Sequence, residues 1–182
     1  MTFETYQALF EEILSDGYAT PPYNNPDFIE YTKLNASRQT RWLKKGVILP
    51  ELVEKVTSIK NQKWILITEP WCGDASHLTP FIHLIAACNP AIDFEIQLRD
   101  SEPHLIDQYL TNGGKSIPIL IVRDEDGNDL FTWGPRPAEC LELMLTNKKA
   151  DLPMEEQKKA LQQWYNKDKG ESIQRELLEL LK

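Results

Sequence analysis

The chain has 182 residues and a mass of 21.0 kDa, which suits one domain with additions or two very small ones. Its 41% apolar content, with five Trp, six Tyr and six Phe, is enough to bury a real core and excludes the disordered class. A formal charge of −8 argues against a nucleic-acid partner, and no apolar run approaches the roughly 20 residues that cross a bilayer, so no membrane partner is expected either.

Residues 1–60 read as three helices. Phe3, Tyr6, Phe10, Ile13 and Leu14 recur at helix spacing behind Thr2, an N-cap residue type. Residues 16–26, with Pro21-Pro22 and Asn24-Asn25-Pro26, read as a loop. A second helix is predicted over Asp27–Lys45, closed by Gly46, and a third from Pro50 to Lys60. The pattern then changes. Trp64–Thr68 is an apolar run of strand type, and a helix follows with Leu78, Phe81, Ile82 and Ile85 on one face and Pro80 expected to kink it. Ile92–Leu98 alternates as a second strand, and His104–Leu110 reads as a short helix. Ile117–Val122 and Asp129–Trp133 flank Asp126-Gly127-Asn128, a hairpin signature, and Pro137–Leu145 closes the set as a helix. The order is β-α-β-α-β-β-α.

Two further helical segments follow, Met154–Lys167, with Trp164-Tyr165 near its end, and Glu171–Leu181, with Ile173, Leu177, Leu178 and Leu181 on one face. Charge marks the same division. Residues 61–148 hold 6 basic and 13 acidic side chains, whereas residues 1–60 hold 7 and 8 and residues 149–182 hold 7 and 7. The expected organisation is an N-terminal helical extension over 1–60, a core over 61–148 and a C-terminal helical extension over 149–182. Three cysteines at wide spacings make no disulfide framework, and Met1-Thr2-Phe3-Glu4 has neither the basic nor the apolar part of a secretory signal. A cytoplasmic location is expected.

Chemistry concentrates at Trp71-Cys72-Gly73-Asp74-Ala75, after the first core strand and at the start of a helix. A thiol there faces unpaired N–H groups and the positive end of the helix dipole, which favour thiolate. Here the chain resembles the thioredoxin superfamily, in a branch with W-C-G-D-A in place of W-C-G-P-C. Ser116-Ile117-Pro118-Ile119 matches the family's cis-proline segment beside the active cysteine, and Gly134 matches a common glycine after the last strand. The resemblance covers residues 63–145 and implies a thioredoxin-like three-layer α/β/α core with helical extensions at both ends.

The departures bear on function. Ala75 replaces the second cysteine, so no dithiol can close, and Leu66 stands where many thioredoxins keep a buried acid. Asp74 sets a negative charge beside the thiol and opposes the dipole. Cys88 lies 16 residues along the same helix, roughly 24 Å away, and cannot reach Cys72. Cys140 cannot be placed from sequence. The spacing of Cys72, His77 and His83 on one helix does not make a metal site.

Two readings follow. In one, Cys72 is a monothiol nucleophile for thiol-disulfide exchange with a protein or thiol substrate, with no bound cofactor but with an external thiol such as glutathione completing the cycle. Trp71, Gly73 and Asp74 would shape its approach, and Ile117 and Pro118 would hold an extended partner. In the other, the domain is a non-catalytic module that keeps the groove for a peptide or protein. A thiol pKa below the usual range favours the first and a normal or raised one the second. The oligomeric state is not legible.

Overall fold

The computed structural model describes residues 1–15, 18 and 20–181; Asp16, Gly17 and Ala19 of the expected 16–26 loop lie outside the described residues. Four strands form one mixed sheet in the order β2-β1-β3-β4. β1 (Gln62–Thr68) and β2 (Ile92–Leu98) run parallel, whereas β3 (Ile119–Arg123) is antiparallel to both β1 and β4 (Asp129–Trp133). Central β1 places Leu66 opposite Ile96 on one side and Leu120 on the other.

The period-2 alternation of strands sorts these apolar runs onto two faces. Trp64, Leu66, Leu120 and Val122 join a large cluster that draws on α1 (Phe3–Ile13), α2 (Pro26–Lys45), α3 (Pro50–Thr57), α4 (Gly73–Ala86), α5 (Ala138–Lys149), α6 (Met154–Asp168) and α7 (Glu171–Leu180). Ile65, Ile67, Ile119 and Ile121 face the other way, onto Cys72, Ala75 and Ile106 of a 3-10 helix (Leu105–Gln108). The result is a thioredoxin-like α/β fold with helices on both sides of the sheet. Among the described residues no helix is long and apolar enough to cross a membrane.

Several boundaries differ from expectation. β3 begins at Ile119 rather than Ile117, because Pro118 has no N–H for the ladder. The segment expected as a helix over His104–Leu110 is only the four-residue 3-10 helix, entered through left-handed His104 at φ 53° and left at Tyr109. α3 stops at Thr57 rather than Lys60, where Asn89 Nδ2 donates to the carbonyls of Val56 and Ile59 and ends the ladder. α5 continues to Lys149, past Leu145, and α4 runs unbroken through Pro80. At the start of the chain Thr2 Oγ1 accepts the Thr5 N–H, an N-cap bond.

The terminal helices pack on the core. Phe3, Phe10, Ile13, Leu177 and Leu181 are all buried, and Ile173 with them. Polar bonds tie the last helix to earlier elements: Gln174 Oε1 accepts the Leu49 N–H at 2.7 Å, and the Glu176 carboxylate accepts both Trp133 Nε1–H and the Ala138 N–H.

Candidate functional site

Cys72 is the N-cap of α4. Its Sγ accepts the Ala75 N–H at 3.5 Å, and its S–H donates to the Ile117 carbonyl at 3.5 Å. The Ile117–Pro118 peptide is cis. Cys72 is only 6% exposed. Burial is the main force on this thiol and pushes it up to about 12, with the Asp74 charge adding to the rise; the Ala75 N–H and Arg136 pull weakly the other way. The helix-end stabilisation expected from sequence is therefore present but outweighed by desolvation.

Asp74 is not the free negative charge that the sequence suggests. Arg136 grips it with two parallel bonds, Nε to Oδ1 at 3.0 Å and an Nη to Oδ2, and Tyr165 Oη donates to Oδ1 at 2.8 Å. Tyr165 lies flat on His77, with ring centroids 4.4 Å apart. Trp42 Nε1 donates to His77 Nδ1 at 3.0 Å, which leaves Nε2–H to donate to Gln162 Oε1 at 3.1 Å. Burial and the nearby Arg38 and Arg41 charges push this imidazole down to about 3, consistent with a neutral ring that accepts at Nδ1. α2, α4 and α6 are thus joined beside the cysteine. Cys140 lies on α5, fully buried beside Tyr165. The three described cysteines are free thiols.

The loop before Cys72 is held from α2. Asn35 Nδ2 donates to the Pro70 carbonyl at 2.9 Å, and Arg38 donates to Asn35 Oδ1. Trp71 takes the edge of Phe28 and the guanidinium of Arg99, 4.5 Å from its ring centroid. A Cβ at Gly73 would stand 2.8 Å from the Tyr31 hydroxyl, so a larger residue there would have to displace that ring. Trp71, Phe28, Arg99, Tyr31 and Gly73 line a cleft of about 840 Å³ with Cys72, and it also takes in Asp74, Ile117, the cations Lys115, Arg136 and Lys158, and the acids Asp27 and Glu155. The structure therefore brings Trp71, Cys72, Gly73, Asp74 and Ile117 to one cavity; Pro118, the next residue, does not line it. Sequence reasoning missed Arg136, Tyr165, Tyr31 and Arg99. Arg136 has only the signal of a cation two residues past Gly134, and Tyr165 only that of an aromatic near the end of a predicted helix.

Glu69 is a further buried acid, three residues before Cys72 and 5% exposed, with Oε1 accepting the Asp100 N–H at 2.9 Å. Burial raises it to about 7, and the Asp100 N–H and the Arg99 charge limit the rise. A raised folded-state carboxyl binds its proton more tightly than the unfolded chain does, so its contribution to stability falls as pH rises from about 4.5 to about 7. His77 acts oppositely, because its depressed value costs stability as pH falls below about 6.5. The two slopes overlap, so the difference between variant and wild type is the informative quantity. Glu69→Gln should keep the acceptor, remove the titration and gain about 2 kcal/mol relative to wild type between pH 5 and pH 8. Chemical denaturation at both pH values measures it; a constant difference would mean that Glu69 is not buried in the ionised form.

A thioredoxin family profile matches residues 23–159, well over half of the chain and beyond the 63–145 that the motifs alone covered. The chain belongs to this thioredoxin family. Among curated proteins none matches it. Among solved structures it is similar to a protein of unknown function from Pseudomonas aeruginosa, 17% identical with a TM-score of 0.51 over 91% of this chain and 96% of that one. It is also similar to an HIV epitope scaffold, 18% identical with a TM-score of 0.51 over 78% of this chain and 82% of that one. At these identities the likeness is one of fold. In this thioredoxin relative the Cys72 end of the fold is closed on one side by α6, through the Tyr165–Asp74 bond.

Proposed function

We propose that this protein is a thioredoxin-fold binding module of the cytoplasm, which uses the groove at the Cys72 end for a peptide or protein segment and holds Cys72 as a neutral thiol at its floor. The observation that carries this reading is the state of the thiol: buried, donating to the Ile117 carbonyl, and pushed up to about 12. A thiolate in that position would face the carbonyl oxygen at 3.5 Å, an acceptor where it needs a donor. Trp71, Gly73 and Asp74 form one wall, and the backbone at Ile117 faces an extended partner from the other. Three free cysteines suit a reducing compartment.

Monothiol exchange is the second reading, favoured by the place of Cys72 on a cleft that also holds Arg99 and Lys115. In it the Cys72 thiolate attacks a disulfide, forms a mixed disulfide and expels the other sulfur as a thiolate. Glutathione then attacks the mixed disulfide, leaves with the substrate sulfur as a new disulfide and frees Cys72.

The pH profile of Cys72 alkylation by limiting iodoacetamide, read by mass spectrometry, separates the two. The module should alkylate slowly, at a rate still climbing at about pH 10, and should not turn over glutathione mixed disulfides. A plateau below about pH 8, with turnover lost in Cys72→Ser, would establish the exchange reading instead.

A further inference from the structure

A second cavity of about 450 Å³ lies under α6 and meets the Cys72 cleft at Tyr31, Gly73, Asp74, Arg136 and Lys158. Its size falls within the range of small-molecule sites. Its walls combine two unlike materials. Met144, Met154 and Leu161, with the ring of Tyr31, supply apolar surface. Arg38, Arg136, Lys148 and Lys158 supply four cations; Arg136 is taken up by Asp74 and Lys158 by Glu155, which leaves Arg38 and Lys148 without a carboxylate.

This gathering runs against the charge of the chain. The whole protein carries −8, and its middle segment has only six basic residues; four of them, Arg99, Lys115, Arg136 and Lys148, line the two joined cavities with the carboxylates Asp27, Asp74 and Glu155, and of the four all but Lys148 are ion-paired. Arg38 and Lys148 form no ion pair among the described residues. Arg38 Nε is buried without a hydrogen-bond partner. Two unpaired cations, Arg38 and Lys148, on a concave and partly apolar wall leave a positive field that an anion would satisfy. His77 on the same wall is neutral, so the positive charge there comes from the arginine and lysine side chains alone.

We propose that the cavity under α6 binds a small organic anion with an apolar body, of the class of a medium-chain carboxylate, with its head at Arg38 and Lys148 and its body against Met144, Met154 and Leu161. The proposal stands apart from whatever Cys72 does. Enclosure by α2, α4, α5 and α6 suits a small molecule rather than a chain.

The chain has three methionines, two on this cavity and Met1 on neither. Methyl-13C-methionine protein titrated with octanoate at pH 7 should therefore show saturable shifts of the Met144 and Met154 signals with Met1 unmoved. Octylamine and octanol should bind at least about 10-fold more weakly, since they lose the charge-assisted bonds. Arg38→Gln should weaken octanoate by a similar factor. Because Arg38 also supports Asn35, the exposed Lys148→Gln provides an independent loss, about 3-fold or more, in a fold not at risk. Equal affinity for octylamine, no saturation by about 5 mM octanoate, or octanoate affinity unchanged in Lys148→Gln would each overturn the proposal.

Discussion

Deleting residues 154–182 is expected to abolish cooperative folding of this chain. The segment contributes Tyr165, Ile173, Leu177 and Leu181 to the main cluster, each at most 4% exposed, and they pack with Phe81 and the face of the sheet that bears Leu66. It also supplies partners that the core cannot replace. Without Gln174 and Glu176 the Leu49 and Ala138 N–H groups and the Trp133 indole lose their acceptors. Gly170, at φ 78°, brings the backbone so close to Phe81 that a Cβ there would lie 2.4 Å from the ring. The milder substitution Leu177→Ala should cost about 3 kcal/mol, the usual loss for a fully buried leucine, and lower the melting temperature by about 6–12 °C. Differential scanning calorimetry of both forms checks this. A truncated chain with an unchanged transition would mean that α6 and α7 are an independent arm.

Gly134→Ala should be the most damaging single substitution near the site. At φ 126° the backbone lies where side chains are strained, and a Cβ would stand 2.2 Å from the Pro118 carbonyl oxygen and 3.3 Å from Ile119 Cα. Both obstacles are backbone, so relief requires the Ile117–Pro118 segment to move away from Cys72. The expected loss is about 3 kcal/mol or more, with a fall of about 6–12 °C in melting temperature and faster alkylation of Cys72 as its cover loosens. Gly127→Ala is the control: φ 84° in the hairpin turn with nothing within 4 Å of a Cβ, so only the conformational cost of about 1 kcal/mol applies. Equal effects at the two glycines would show that the close approach at 134 carries no weight.

Most of the fold was legible because the signals are local. Alternation marked Ile92–Leu98 to the residue, the Asp126-Gly127-Asn128 turn placed the β3–β4 hairpin, and helical spacing found the buried stripes of α1 and α7. One error has a local cause, Pro118 removing a ladder donor, and another a distant one, Asn89 capping α3 from 33 residues along the chain. The electrical character of the site was not legible in the same way. By itself the sequence determined that a thiol opens a helix at Cys72, that Asp74 sits two residues on, and that Ala75 leaves no dithiol partner. Only the tertiary structure decided that Asp74 is gripped by Arg136 and Tyr165, 62 and 91 residues away. It also decided that the Cys72 thiol is buried against Ile117 and that scattered cations converge on cavities roofed by α6. Periodicity and capping act between neighbours in sequence and leave a trace there. Desolvation and charge pairing act between neighbours in space, and no spacing of residues along the chain records them.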